Sequence, residues 1–495
     1  MTSTDSATDI DLKKLINDTP KGLFIDGEFT AAENKETFEV INPADGDVLA
    51  EVASASEADA RRALDSICAA QDGWAATPAR ERSEILRRAF EILRENSEEL
   101  AYLQSLELGR ALPDSRSEVT YGSEFFRWFA EEGVRVRGDY RHSPAGHSRI
   151  VVHRQPVGPC LAITPWNFPL AMGARKIAPA LAAGCTMIIK PASKTPLTML
   201  FLAQALKEAG LPDGVLAVVP TGSSSNVSAL LDDARLRKLT FTGSTEVGQM
   251  LAAKAAEHSM NVSLELGGNA PFVVLEDADL DTVVTATVTA KMRGGGQVCI
   301  AANRFLVHSS LKDEFIRRTS AELAKFTLGR ATDPDVDFGP LSGADQLEKV
   351  SGLVDDAVER GATRHLGGEL PEGLTEGGYY YPATVLSDVP VEAEISSAEI
   401  FGPVVAVTTF ETDEEAVALA NDTPYGLAAY LFSENLTRVF DVAERIEAGM
   451  IAVNKGALSD PAAPFGGVKE SGNGREGGFE GIEEYLEPKF ISLPL

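Results

Sequence analysis

Cysteine is scarce in this chain. There are four in 495 residues, Cys68, Cys160, Cys185 and Cys299, with no CxxC pair, which excludes a disulfide scaffold and a thiolate zinc site. The six histidines are scattered, so no metal site is expected. No apolar run approaches the ~18 residues that a membrane span requires; the longest candidate, near Ala178–Ile189, is broken by Pro179 and Gly184. The opening stretch MTSTDSATDIDLKKL lacks arginine and an apolar centre, so it reads neither as a signal peptide nor as a mitochondrial presequence. The cytoplasm is the expected compartment. Positive charge is also short: 45 Lys and Arg against 74 Asp and Glu give a net charge of −29. Phosphate-rich surfaces attract positive proteins, so neither nucleic acid nor an anionic membrane is an expected partner.

What the chain has is length, glycine and alternating patterns. At 495 residues two large domains are expected. Residues 1–20 read as a polar arm, and 40–52 as a short strand pair around the PADGD turn. Ser56 with Asp59 opens a capped helix, Thr77-Pro78 opens a second, and a third stops at Gly109. From residue 150 short β-branched runs alternate with amphipathic helices: CLAITPW, CTMIIKP, GVLAVVP and KLTFTGS each precede one. That alternation predicts a parallel sheet with helices on both faces, a nucleotide-binding architecture in principle. A second α/β block follows from about 267 to 460, and the tail ends in alternating residues that suit an edge strand.

Several stretches carry chemistry. Cys299 follows Arg293-Gly-Gly-Gly-Gln-Val and precedes the strand-like RFLVH. A small buried residue and a nucleophile are both open readings; the glycines favour close backbone approach to a ligand, and cysteine is a strong nucleophile. Glu265 in LELGGNAPF is either a helix-end carboxylate or, if buried, a general base with a raised pKa. Gly243 and Ser244 lie between a strand and a helix start, where phosphate binds well. Lys190 and Ser193 end another strand in KPASKTP, with Lys194 beside them. Asn167 in TPWNFP is either an Asx turn or a donor to a developing oxyanion.

Together TPWNFP, KPASKTP, FTGSTEVG, ELGGNAP, GQVC, EIFGPV and PFGGVKESGNGRE, in this order and with Glu265 34 residues before Cys299, resemble the aldehyde dehydrogenase superfamily. The resemblance implies a Rossmann-like cofactor domain (1–138 with 159–266), a second α/β catalytic domain (267–475) and a small β oligomerisation element (139–158 with 476–495). It implies Cys299 as nucleophile, Asn167 with the Cys299 backbone N–H as oxyanion donors, and Glu265 as the base that activates water. It carries cofactor contacts to Trp166, Lys190, Ser193, Gly243, Ser244 and Leu266, with Glu399 on the nicotinamide ribose. A homodimer or homotetramer is implied as well.

Within that family the pattern is most similar to the succinate-semialdehyde branch. There two arginines and a serine grip the far carboxylate, and Arg175, Arg293 and Ser459 match them. Glutarate semialdehyde is the rival, because pockets separate such neighbours by only about 1–3 kcal/mol. Two departures stand out: Ala301 replaces a second cysteine of many relatives, so no disulfide switch is expected in the loop, and Gly294-Gly295 replaces the usual Asn-Ala or Asn-Thr after the loop arginine. Glu265 favours water over coenzyme A as the thioester acceptor, since acylating relatives lack that residue. A cysteine hydrolase pairing Cys299 with a histidine such as His308 is the remote alternative.

NAD-preferring relatives often carry Glu where this chain has Ser193. A carboxylate there accepts bonds from the ribose hydroxyls and repels a 2′-phosphate, so Ser193, with Lys190 and Lys194 nearby to add positive charge, favours NADP, with NAD possible. Ser193→Glu is expected to shift the ratio of kcat/KM values toward NAD; an unchanged ratio in steady-state assays contradicts the assignment.

Overall fold

The computed structural model describes residues 10–374 and 376–495. Five short strands, Cys160–Ile163, Met187–Lys190, Leu216–Val218, Lys238–Thr242 and Asn261–Glu265, run parallel inside an eight-stranded sheet. Most of their residues are buried, which is why they read as unbroken apolar runs rather than alternating ones. In space they lie in the order 216–218, 187–190, 160–163, 238–242, 261–265. The chain therefore winds one way from Cys160–Ile163 and the other way from Lys238–Thr242, and a crevice opens outside the carboxyl ends where the order reverses. Antiparallel strands close both edges: Leu23–Ile25 with Glu28–Thr30 on one side, Gly472–Asn473 on the other.

The second block forms a seven-stranded sheet, ordered 363–366, 384–387, 404–410, 304–308, 271–274, 428–432, 450–453. Only its first pair is antiparallel. Phe272 centres its core, with Phe305, Tyr430 and Phe432 at ring-centroid distances of 4.8, 5.8 and 4.5 Å. A third sheet joins Asp139–His142, Ser148–Pro156 and Leu486–Pro494. The terminal strand lies at its edge and keeps Phe490 62% exposed. No helix among the described residues is long and apolar enough to cross a membrane.

Local signals explain many boundaries. Ser56 and Asp59 form a reciprocal capping box on Glu57–Ala76. The strand pair around PADGD is Thr37–Ile41 with Val48–Ala53. The expected polar arm differs: its residues 1–9 lie outside the described residues, and Leu12–Asp18 is helical, with Asp11 accepting from the Lys14 N–H and Ile16 buried. A short amphipathic turn so close to the chain start carries too few residues for a periodic pattern to show.

The helix Ser97–Leu108 ends at Gly109 in the left-handed region, φ 81°. A Cβ there would stand 2.8 Å from the Pro340 ring and 3.0 Å from the Pro43 ring. This tight turn delivers the next residue, Arg110, to the interior. Gly109→Ala is expected to cost about 1–3 kcal/mol from backbone strain alone, read as a lowered melting temperature; an unchanged one contradicts the tight fit.

Candidate active site

The site forms where the carboxyl ends of the first sheet meet the amino ends of the second. The loop after Cys160–Ile163 carries Trp166 and Asn167 and leads into the helix Ala171–Ala183. Asn167 is buried; its side-chain nitrogen donates to the Gln297 carbonyl at 3.0 Å, 130 residues away. The Asx-turn alternative is thereby replaced by a long-range contact. Arg110 donates to the Asn167 carbonyl oxygen, pairs with buried Glu118, and lies 4.0 Å over the Phe168 ring. Glu118 in turn accepts from the Leu170 and Ala171 N–H groups at 3.0 and 3.3 Å. Arg110 and Glu118 so hold the loop that carries Asn167.

From the other side comes the Cys299 loop. A π-helical turn, Val288–Met292, ends at Arg293, and Gly294, Gly295 and Gly296 follow with φ of 60°, 63° and 76°. Three successive left-handed residues without glycine would carry strain at each position. Gln297 pins the turn: it donates to the Gly294 carbonyl at 3.2 Å and accepts from the Ser342 N–H at 2.9 Å. Asp114 accepts from the Gly294 N–H at 2.5 Å. The glycine pair thus leaves Arg293 in the cavity, 5.5 Å from the Phe168 ring centroid.

Cys299 lies half-buried ahead of the strand Arg304–His308. It therefore enters from the amino end of that strand, not the carboxyl end at which α/β sites usually collect. Burial pushes its thiol up to about 12; Arg175 and Arg293 pull it down, while Glu399 and Glu265 push it further up. Glu265 ends the strand Asn261–Glu265, is 3% exposed, and has neither carboxyl oxygen hydrogen-bonded. Burial and the neighbouring Glu476 hold it well above the ordinary carboxylate range, against Arg175, Lys176 and Arg475. Glu476 itself pairs with Arg175 and Lys176.

A cleft opens on Cys299 and is lined by Arg110, Tyr121, Phe168, Arg175, Arg293 and Ser459 among others. The three residues expected to hold a carboxylate thus share one cavity with the expected nucleophile. Arg175 is 1% exposed, with Nη2 lacking a hydrogen-bond partner; the Arg293 Nε is likewise buried and unpartnered. Buried N–H groups of a cation left in this state call for an anionic acceptor.

The other expected contacts lie at the carboxyl ends of the first sheet's strands, except Glu399, which precedes the strand Val404–Phe410 of the second sheet. Lys190 is the last residue of its strand, with burial lowering its pKa. Gly243 and Ser244 follow Lys238–Thr242, and Leu266 follows Glu265. Ser244 stands at the N-cap of the helix Thr245–Ala256 without accepting any bond from it, so the first-turn N–H groups have no side-chain acceptor and suit a phosphate. Glu399 accepts from the Gly268 N–H at 3.2 Å, and burial raises its pKa to about 7. Trp166 packs edge-on to Phe401 at 5.4 Å. Lys194 differs from the sequence reading of a free charge beside Ser193: its ammonium is held by both Asp345 oxygens at 2.7 and 2.9 Å.

His308 lies at the carboxyl end of its strand, bonded to Ser310 at 2.8 Å and to the Glu411 carbonyl at 3.3 Å. Cys299 lies beyond the opposite end of that strand, so a Cys–His hydrolase pair does not form. Sequence reasoning missed Arg110, Glu118, Tyr121 and Lys176, and gave no role to Glu476. Arg110 lies just before the long helix Leu112–Glu132 and Glu118 and Tyr121 lie on it, where no motif marks them.

The chain matches the model of the aldehyde dehydrogenase family over residues 29–491. It is 53% identical over 447 residues to a succinate-semialdehyde dehydrogenase of Paenarthrobacter nicotinovorans, covering 90% of this chain and 99% of that one. It is 45% identical to a glutarate-semialdehyde dehydrogenase of Pseudomonas aeruginosa, covering 95% and 97%. A crystal structure of an NADP-dependent enzyme of Escherichia coli superposes with a TM-score of 0.94 at 42% identity, covering 96% of this chain and 98% of that one. The chain belongs to the aldehyde dehydrogenase family.

Proposed function

We propose that this protein oxidises succinate semialdehyde to succinate with NADP⁺, NAD⁺ being the poorer acceptor. The observation that carries the substrate is buried Arg175 together with partly buried Arg293, each with a buried nitrogen that has no hydrogen-bond partner, both lining the cavity of Cys299. Arginine holds a carboxylate by directed hydrogen bonds, and with Ser459 these side chains anchor the far end of the substrate and turn its carbonyl toward the sulfur. The 53% identical relative carries the same activity in its name. Glutarate semialdehyde is the second reading, favoured by the Pseudomonas relative.

Cys299 loses its thiol proton to solvent, and the thiolate sulfur attacks the carbonyl carbon. A C–S bond forms, and the oxyanion is held by the Asn167 amide and the Cys299 backbone N–H. When bound, the oxidised nicotinamide supplies a positive charge beside the sulfur and an acceptor for the hydride. A thioester remains on Cys299. Glu265 takes a proton from water, the resulting hydroxyl attacks the thioester, the C–S bond breaks, and the acid leaves. Trp166, Lys190, Ser193, Gly243, Ser244, Leu266 and Glu399 would hold the dinucleotide along the crevice. In this reading 1–138 with 159–266 is the cofactor domain, 267–475 the catalytic domain, and 139–158 with 476–495 the oligomerisation element. The exposed apolar residues of the terminal strand, Phe490, Ile491 and Leu493, support a homodimer or homotetramer. Four free cysteines suit a reducing compartment such as the cytoplasm.

Steady-state assays with succinate semialdehyde, glutarate semialdehyde and butanal, each with both cofactors, test the proposal. The highest kcat/KM is expected for succinate semialdehyde with NADP⁺; equal handling of butanal contradicts it. Glu265→Gln is expected to lower kcat by about 10²–10⁴ while a stoichiometric burst of reduced cofactor persists. A base whose pKa is raised works only above that pKa. The kcat of the unmodified enzyme therefore falls as pH drops through a value well above the ordinary 4.5, and Glu265→Gln removes this limb.

A further inference from the structure

Glu399 sits outside regular structure, between the one-turn helix Glu394–Ser397 and the strand Val404–Phe410. The peptide groups on its two sides therefore need partners from elsewhere. One buried side chain meets both. Asn303, 2% exposed, donates from Nδ2 to the Ala398 carbonyl at 2.8 Å and accepts at Oδ1 from the Ile400 N–H at 3.0 Å. It lies four residues after Cys299, and no motif draws attention to it.

The residue type follows from the chemistry. A carbonyl before Glu399 and an N–H after it call for a donor and an acceptor on one short planar group, which is an amide. Ionised aspartate has no donor, and an aliphatic side chain would leave both peptide groups orphaned. A second buried amide orients the first: Asn303 Nδ2 also donates to Asn269 Oδ1 at 2.6 Å, while Asn269 Nδ2 donates to the Ser396 and Ser397 carbonyls at 3.3 and 3.2 Å. The backbone is tied as well. The Asn303 N–H donates to the Ala270 carbonyl at 2.9 Å, and Arg304 donates to the Asn269 carbonyl at 3.2 and 3.1 Å.

These contacts close a ring. The chain runs from Cys299 to Asn303, and Asn303 holds both flanks of Glu399. A Glu399 oxygen accepts from the Gly268 N–H at 3.2 Å, and a Cβ on Gly268 would stand 2.7 Å from the Cys299 carbonyl oxygen. The Glu399 carboxylate is thereby fixed relative to the nucleophile loop. We propose that Asn303 is a positioning residue for the dinucleotide, which through Glu399 sets where the nicotinamide ribose stands against the Cys299 loop. This rests on the reading of Glu399 as the ribose contact and names the residue by which Glu399 is aimed.

Calorimetric titration of the aldehyde-free protein tests it with two probes: NADP⁺, and adenosine 2′,5′-bisphosphate, which keeps the phosphorylated adenosine end and lacks the nicotinamide ribose. The unmodified protein is compared with Asn303→Ser, Glu399→Ala and the double variant. Serine is too short to reach both peptide groups. In Asn303→Ser the Kd for NADP⁺ is expected to rise about tenfold, the size of one hydrogen bond to a charged group, with the Kd for the bisphosphate unchanged. Because Asn303 acts through Glu399, the double variant is expected to bind NADP⁺ as Glu399→Ala alone does. An NADP⁺ Kd unchanged by Asn303→Ser, an equal loss for both probes, or effects that multiply in the double variant overturns the proposal while leaving the ribose contact intact. If Glu399→Ala binds NADP⁺ as the unmodified protein does, the ribose contact and the proposal both fall. Should Asn303→Ser melt too early to titrate, Asn269→Ser, which removes the oxygen that orients Asn303, takes its place; the same selective loss supports the positioning role, and its absence counts against it.

Discussion

Gly268 packs its Cα against the carbonyl oxygen of Cys299, so closely that a Cβ would stand 2.7 Å from that oxygen. This contact joins the two sheets at their reactive ends. Gly268 follows the strand that ends in Glu265, and its N–H also meets Glu399. One stretch of backbone therefore places Glu265, Glu399 and the Cys299 loop in fixed relation. A side chain at this point would part the loops and with them Glu265 from Cys299. The left-handed run at Gly294–Gly296 serves the same end from the opposite side, by turning the chain sharply enough that both Arg293 and Cys299 face one cavity.

Charge is handled locally. The chain carries a net −29, yet the cavity presents Arg110, Arg175 and Arg293. Arg110 is committed to Glu118 and Arg175 in part to Glu476, and buried pairs of this kind are strongly destabilised when one partner is removed. Burial also raises both reactive acids: the Cys299 thiol and the Glu265 carboxyl each sit above their ordinary values. An added positive charge near the sulfur would work against both shifts and favour the ionised forms. Reactivity is tied in this way to a filled site.

Much of this was legible in the sequence because glycines and strand ends leave local marks. The parallel sheet follows from unbroken apolar runs with helices between them, whereas TPWNFP, ELGGNAP and GQVC single out Asn167, Glu265 and Cys299 only through the family resemblance. Arg175, Arg293 and Ser459, separated by 118 and 166 positions in the chain, were tied together only by family resemblance, and the fold brings them to one wall. The supports were not legible. Arg110 acts through a partner far along the chain, Asn167, and long-range pairing leaves no periodic trace. Lys194 shows the opposite failure: a lysine beside Ser193 looked free for a phosphate, whereas Asp345, brought in by another element, already holds it.

The central claim is that Cys299 carries the acyl group between oxidation and hydrolysis. Intact-mass and peptide analysis of the Glu265→Gln protein, quenched after mixing with succinate semialdehyde and NADP⁺, tests it most directly. A single succinyl adduct on the peptide containing Cys299 is the predicted result. An unmodified Cys299 after cofactor reduction, or an adduct on Cys68, Cys160 or Cys185 instead, would contradict it.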